Sequence, residues 1–147
     1  MNKRVIYVVE DDDFQIEWIV ELLQHNFGNQ VEVKQIKTHY EFESSFDAIA
    51  ADQPAAMIID VMLQWADTKL AKEPHSLDSY RRAGLDCRNM LAKDTRTQNV
   101  PVMLYSVLNR ATVRGLPPRT AYLRKDSPDT RLIAWLEGVL RSSTSQA

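Results

Sequence analysis

At 147 residues the chain is long enough for one domain with a buried core. Its hydrophobic (44%) and charged (26%) fractions are those of an ordinary globular protein. A net charge of −2 leaves no electrostatic case for nucleic acid or an anionic membrane as the main partner, and no apolar run approaches the roughly 20 residues of a membrane span. Met1-Asn2-Lys3-Arg4 leads straight into a strand-like run with no signal-peptide pattern, and the lone Cys87 cannot form an internal disulfide. Both predict a reducing, cytoplasmic setting.

Val5 to Val9 is a continuous β-branched and aromatic run, the pattern of a strand covered on both faces. Ile16, Ile19, Val20, Leu23 and Phe27 follow at helical spacing, with Gly28 placed to stop the helix. Val31, Val33 and Gln35-Ile36 predict a shorter, more polar strand nearer a sheet edge. Thr38-His39-Tyr40-Glu41 reads as a capping box opening a helix that buries Phe42, Phe46 and Ile49 and ends before Pro54. Ala55 to Met62 carries no charge until Asp60 and predicts a central strand.

A polar stretch from about Gln64 to Ala83 reads as an extended loop, most simply a solvated one despite its charges from Lys69 to Arg82. A helix is expected from near Gly84, with Leu85, Met90 and Leu91 inward. Val100 to Tyr105 predicts the fourth strand. Between Asn109 and Leu116 only a short helix fits, because Gly115-Leu116-Pro117-Pro118 breaks it. Thr120 to Arg124 predicts a fifth strand, and Ser127-Pro128-Asp129 opens a last helix through Leu132, Ile133, Leu136, Val139 and Leu140. The alternation predicts one α/β domain over residues 1–141, a doubly wound five-stranded parallel sheet with helices on both faces, and a flexible tail over 142–147.

Strand carboxyl ends in such a sheet share one edge, where ligands bind. Four of them end on reactive groups: Glu10 and Asp11, then Asp60, Ser106 and Lys125. Transfer of a phosphoryl group to a carboxylate needs an unprotonated nucleophile and a divalent cation held by neighbouring acids. Asp60 is the candidate acceptor; Glu10 and Asp11 are the acids that, with it, would hold a hard cation such as Mg²⁺. The Ser106 hydroxyl can donate to one phosphoryl oxygen, and Lys125 can pair with another.

Val8-Val9-Glu10-Asp11-Asp12, Ile58-Ile59-Asp60-Val61-Met62-Leu63, Val100 to Ser106 and Ala121-Tyr122-Leu123-Arg124-Lys125 together resemble the receiver domains of two-component response regulators, over roughly Lys3 to Leu140. The resemblance implies a flavodoxin-like strand order of 2-1-3-4-5. It also implies Asp60 as phosphoacceptor, Asp11 as the more direct metal ligand of the acidic pair, and the Met62 backbone carbonyl as a further ligand. Ser106 and Tyr122 would be the switch residues, Tyr122 changing rotamer on activation. The phosphodonor would be a sensor histidine kinase or a phosphotransfer protein, and readout would pass through contacts with a downstream protein, with a homodimer left open. Gln64-Trp65 stands where the family often has Pro, the stretch before Gly84 is longer than usual, and the segment from Ser106 to Lys125 is shorter. Lys125 precedes Asp126 rather than the family's Pro; a cis non-proline bond costs about 2.5–4 kcal/mol, so this turn is expected to be trans and differently shaped.

Other groups have plainer readings. Asp12 and Asp13 suit a helix cap better than a metal site, and Cys87 suits a helix core. His25, His39 and His75 show no metal-ligand spacing. Trp65, just after the acceptor strand, is placed to shield the pocket or meet a partner. Two other functions fit less well: a receiver-like binding module that signals without phosphorylation, and a phosphohydrolase, which would need an acid where Met62 stands.

Overall fold

The apolar run after Lys3 forms β1 (Arg4–Val9), flanked by parallel partners β2 (Val31–Ile36) and β3 (Ala56–Ile59). A computed structural model describes residues 3–66, 77–118 and 120–144. Beyond β3 lie β4 (Val102–Ser106) and β5 (Ala121–Arg124), giving a five-stranded parallel sheet in the order β2-β1-β3-β4-β5. This is the expected fold and strand order. β3 is buried at all four positions because both of its neighbours and both helical layers cover it, which explains its uninterrupted Ala-Met-Ile-Ile composition.

Two helices cover one face of the sheet: α1 (Asp13–Phe27) and α5 (Asp129–Thr144). Ile19, Leu23 and Phe27 of α1 meet Leu132, Leu136 and Leu140 of α5 over Ile6, Val8, Ile58 and Met103. α2 (His39–Ser44), α3 (Phe46–Asp52) and α4 (Leu77–Lys93) cover the other, packing Phe42, Ile49, Ala83, Cys87 and Leu91 on Val9, Met57, Ile59 and Leu104. The helix expected over 39–52 is therefore two, broken at Ser45, whose N–H reaches back to Glu41 O. Thr38 caps α2 as expected, its Oγ1 accepting from Glu41 N–H at 3.0 Å. Glu41 closes the turn one residue further out, on Lys37 N–H.

Two expectations fail. α4 begins at Leu77, so the polar stretch expected as loop to Ala83 is helical for its last seven residues; residues 67–76 lie outside those described. α5 continues through Thr144, past the Arg141 boundary expected for the tail, and residues 145–147 lie outside those described. Between β4 and β5 only one turn of 3-10 helix forms, Arg110–Thr112, ahead of the Gly115-to-Pro118 break. Gly28 does end α1, at φ +53°.

Gly84 lies within α4, not at its start, and its role is contact. A Cβ built there would stand 1.7 Å from the Asp60 carbonyl oxygen and 2.8 Å from Val61 Cα, both backbone atoms with nowhere to retreat. Gly84 N–H also donates to Val61 O at 3.0 Å, while Leu63 N–H donates to Tyr80 O at 3.1 Å. The end of β3 and α4 are thus stitched backbone to backbone. Further along, His39 N–H and Tyr40 N–H donate to Gln64 O and Trp65 O, tying the same turn to the start of α2.

Trp65 completes that junction by stacking on the buried His39 ring, centroids 3.7 Å apart and planes within 13°. Glu43 Oε1 lies 2.8 Å from Nδ1 and Asp86 Oδ2 3.6 Å from Nε2, but neither nitrogen makes an aligned hydrogen bond. Burial lowers the imidazole pKa below its ordinary value, against the opposing pull of the two carboxylates.

Two outcomes test this packing. Gly84→Ala overpacks backbone against backbone, which costs about 1–3 kcal/mol, the upper end being expected here; urea unfolding reads it, and an unchanged midpoint would contradict the contact. For His39, both states are neutral above pH 6.5; as pH falls through that value the unfolded chain takes up the proton first, so stability falls. Wild type is expected to lose more stability between pH 7.5 and pH 5.5 than His39→Phe, which keeps the stack and removes the titrating group; equal losses would remove His39 from the account.

Candidate functional site

The parallel register delivers Glu10, Asp60, Ser106 and Lys125 to one edge. Glu10 and Asp60 follow directly on β1 and β3, and each extends its ladder by one bond, to Ile36 O and Val9 O respectively. Ser106 ends β4, and Lys125 follows β5 with its N–H on Ser106 O at 2.8 Å. Three of these side chains are closed off from solvent: Glu10 is 2%, Asp60 7% and Ser106 0% exposed.

Lys125 ties the acids together. Its Nζ donates to Glu10 Oε1 at 2.7 Å and to Asp60 Oδ2 at 2.8 Å. Asp60 Oδ1 accepts from Met62 N–H at 3.1 Å, which orients the carboxylate without using its lone pairs fully. Asp11 stands beside them with Oδ2 accepting from Gln64 N–H at 2.9 Å. Asp12 takes the cap of α1, accepting from Phe14 and Gln15 N–H, and the exposed Asp13 pairs with Lys37. Within the acidic run, Asp12 thus serves the helix, Asp13 pairs across the surface, and Glu10 and Asp11 stand at the pocket.

One ammonium between two buried carboxylates leaves surplus negative charge. Burial first, and then hydrogen bonding to Asp60 and its charge, push the Glu10 carboxyl up to about 9 against the opposing Lys125. As a carboxylate Glu10 would leave Oε2 buried with no donor; protonated, it can donate to Asp60. Burial also raises Asp11, an effect that its bond from Gln64 reduces. For Lys125 burial pulls downward, but the charge of Asp60 and hydrogen bonds to both acids more than offset it, so its pKa is raised.

Among the described residues no group of three or more Asp, Glu, His or Cys side chains stands at metal-holding spacing. The donor set is nonetheless all oxygen, and it includes one buried carboxylate oxygen that lacks a partner. That chemistry fits a hard divalent cation in place of the surplus proton.

On the far side of the pocket, Ser106 Oγ accepts from Leu108 N–H at 3.2 Å, and Leu108 O accepts from the Tyr122 hydroxyl at 2.7 Å. The two expected switch residues thus share one backbone unit. The Lys125–Asp126 bond is trans, as its sequence predicts. Two neighbours of the site escaped sequence reading. Tyr80, on the unforeseen first turns of α4, has its hydroxyl pKa raised by burial and then by the charges of Asp11, Asp60 and Glu10. The other is His39, which no spacing signal links to Trp65.

No protein-family model and no curated protein matches the sequence. Solved structures match it closely in shape and weakly in residues. A sensor protein from Polaromonas sp. JS666 superposes with a TM-score of 0.70 at 16% identity, covering 96% of this chain and 98% of its own. The phosphorylated cyanobacterial phytochrome response regulator RcpA gives 0.65 at 18% identity, over 99% and 97%. The receiver domain of sensor histidine kinase PA1611 from Pseudomonas aeruginosa PAO1, with magnesium ion coordinated in its active site cleft, gives 0.61 at 14% identity, over 92% and 96%. At these identities the likeness is one of fold, and the fold of this chain is that of a signal receiver domain.

Proposed function

We propose that this domain accepts a phosphoryl group on Asp60 from a sensor histidine kinase or phosphotransfer protein, with Mg²⁺, and signals through contacts with other proteins. The observation that carries the reading is Lys125 Nζ bridging Glu10 and Asp60 at the end of the sheet where Ser106 also lies. Glu10, Asp11, Asp60 and the Met62 carbonyl would hold the cation, which when bound neutralises charge on the transferring oxygens. The chain's own residues do the rest. Asp60 Oδ2, now paired with Lys125, is the oxygen that would attack phosphorus; Lys125 would follow the charge onto the phosphoryl oxygens. Ser106 Oγ, released from Leu108 N–H, can donate to one of those oxygens, and Leu108 carries the change to the Tyr122 hydroxyl. A signalling module rather than a turnover enzyme fits the absence of an acid at Met62, and a cytoplasmic setting fits a kinase as donor.

A second reading, a receiver-like binding module that needs no phosphorylation, draws on the closed state of Lys125 and on the 3-10 turn Arg110–Thr112 that stands where a short helix was expected between Asn109 and Leu116. It requires equal partner affinity for wild type and Asp60→Ala.

Incubation with Mg²⁺ and a small acyl phosphate should give a phosphoryl adduct by intact mass; EDTA should prevent it, and Asp60→Asn should abolish it. An adduct retained by Asp60→Asn would remove the proposed acceptor. Lys125→Met takes away the cation paired with the developing charge and should slow labelling roughly a hundredfold. Labelling of that variant at the wild-type rate would mean Lys125 only fastens the strands.

A further inference from the structure

Arg88, on the side of α4 next to the start of β5, is a buried charge with no counter-ion among the described residues. It is 4% exposed; its Nε donates to Thr120 Oγ1 at 3.0 Å, and Nη1 is buried without any acceptor. Burial lowers its pKa, and no carboxylate acts on it. A guanidinium does not give up its proton in a protein, so the charge stays and its field is uncompensated.

Exposed arginines of α4 and of the segment before β5 carry the same sign. Arg82, also from α4, reaches across to the segment before β5, with Nη2 3.9 Å from where a Cβ on Gly115 would lie. Arg110 and Arg114 belong to that segment, and all three are exposed and make no ion pair among the described residues. Other exposed basic residues are matched by an acid, Lys34 with Asp52, Lys37 with Asp13, Arg96 with Asp94 and Asp47, and Arg124 with Asp126, although Arg81, Lys93, Arg131 and Arg141 are exposed without an ion pair among the described residues. Between Asp94 and Asp126 the sequence holds six basic residues and no acidic one, in a chain whose net charge is −2. Val113 and Leu116, on the same segment, pack against the core and stay half-buried, so part of their apolar surface remains open beside the charges.

We propose that the seam between α4 and residues 107–118 docks an acidic segment of a partner protein. Arg82, Arg110 and Arg114 meet its carboxylates, and buried Arg88 adds its uncompensated field. Forked guanidinium donors suit carboxylates, and Val113 and Leu116 suit apolar side chains between them. Nucleic acid fits less well, because the neighbouring sheet edge exposes the acidic run from Asp11 to Asp13 to a long polyanion. The chain's own residues 67–76 fit less well too, since Asp67 and Glu73 are balanced by Lys69 and Lys72. This docking is independent of the reading of Asp60, and Asp60→Asn should bind equally.

The test uses the full chain and a fluorescein-labelled peptide of Glu-Glu-Leu repeats, with binding read by anisotropy at low ionic strength. Binding should weaken as salt rises and fall about tenfold or more in Arg82→Glu/Arg114→Glu. Arg131→Glu/Arg141→Glu, on the other face of the sheet in α5, makes the same change in net charge and should alter affinity less than about threefold. Arg88→Met, checked by thermal unfolding to be folded, should also weaken binding. Equal loss in both double variants, no binding by wild type, tighter binding of a single-stranded oligonucleotide than of the peptide, or displacement of the peptide by inorganic phosphate at equimolar concentration would each overturn the proposal.

Discussion

The Lys125 ammonium crossing from β5 to the ends of β1 and β3 is the interaction on which the rest of the site depends. It spans 115 residues of sequence to Glu10 and 65 to Asp60. Without a cation at that point, two carboxylates buried side by side would repel each other at the edge where the ladders end. With one ammonium the pair is still a charge short, and a raised Glu10 carboxyl is how the protein alone closes the gap. The surplus negative charge that raises Glu10 is what a divalent cation could neutralise in place of that proton. An arrangement with an exact charge balance would offer no such exchange.

Much of this was legible in the sequence because a parallel sheet turns separate strand ends into neighbours. The runs ending at Val9, Ile59 and Ser106 were marked by β-branched and apolar residues, so Glu10, Asp60 and Ser106 could be brought to one edge from pattern alone. The start of α4 was not legible. Its first turns are rich in polar residues, with Asp78, Arg81 and Arg82 ahead of Ala83, and helical periodicity becomes readable only once apolar residues recur at helical spacing. Gly84 then misled in a second way. A glycine beside a polar stretch reads as a helix boundary, whereas here it marks backbone contact with Asp60, which only the packed structure reveals. The His39–Trp65 stack was hidden for a similar reason, since 26 positions separate two residues that share no motif.

The two sides of Asp60 differ in stiffness. On one side the turn after Asp60 is fastened by the Gly84 and Leu63 bonds to α4, by His39 and Tyr40 bonds to it from α2, and by an aromatic stack. On the β4 side the chain after Ser106 has one 3-10 turn, and its described links to β5 and α4 include the Tyr122–Leu108, Thr120–Pro117 and Arg88–Thr120 bonds. A rearrangement that starts at Asp60 meets firm backbone in one direction and a lightly fastened segment in the other. Leu108 sits at the boundary, its N–H on Ser106 and its carbonyl on Tyr122.

That asymmetry bears on where a partner would sense the pocket. The lightly fastened segment is also the one that carries Arg110 and Arg114 and shares a seam with Arg82 and Arg88. If Ser106 leaves Leu108 N–H for a phosphoryl oxygen, the shift enters this segment first, ahead of any helix on the opposite face. An acidic partner seated there would bind one arrangement of the arginines better than the other. By linkage it would then favour the same state of the pocket that favours it, with the coupling set by that difference in affinity. Helices α1 and α5 meet the sheet through apolar side chains on the far face, and a partner seated on them would have no such first claim on the movement.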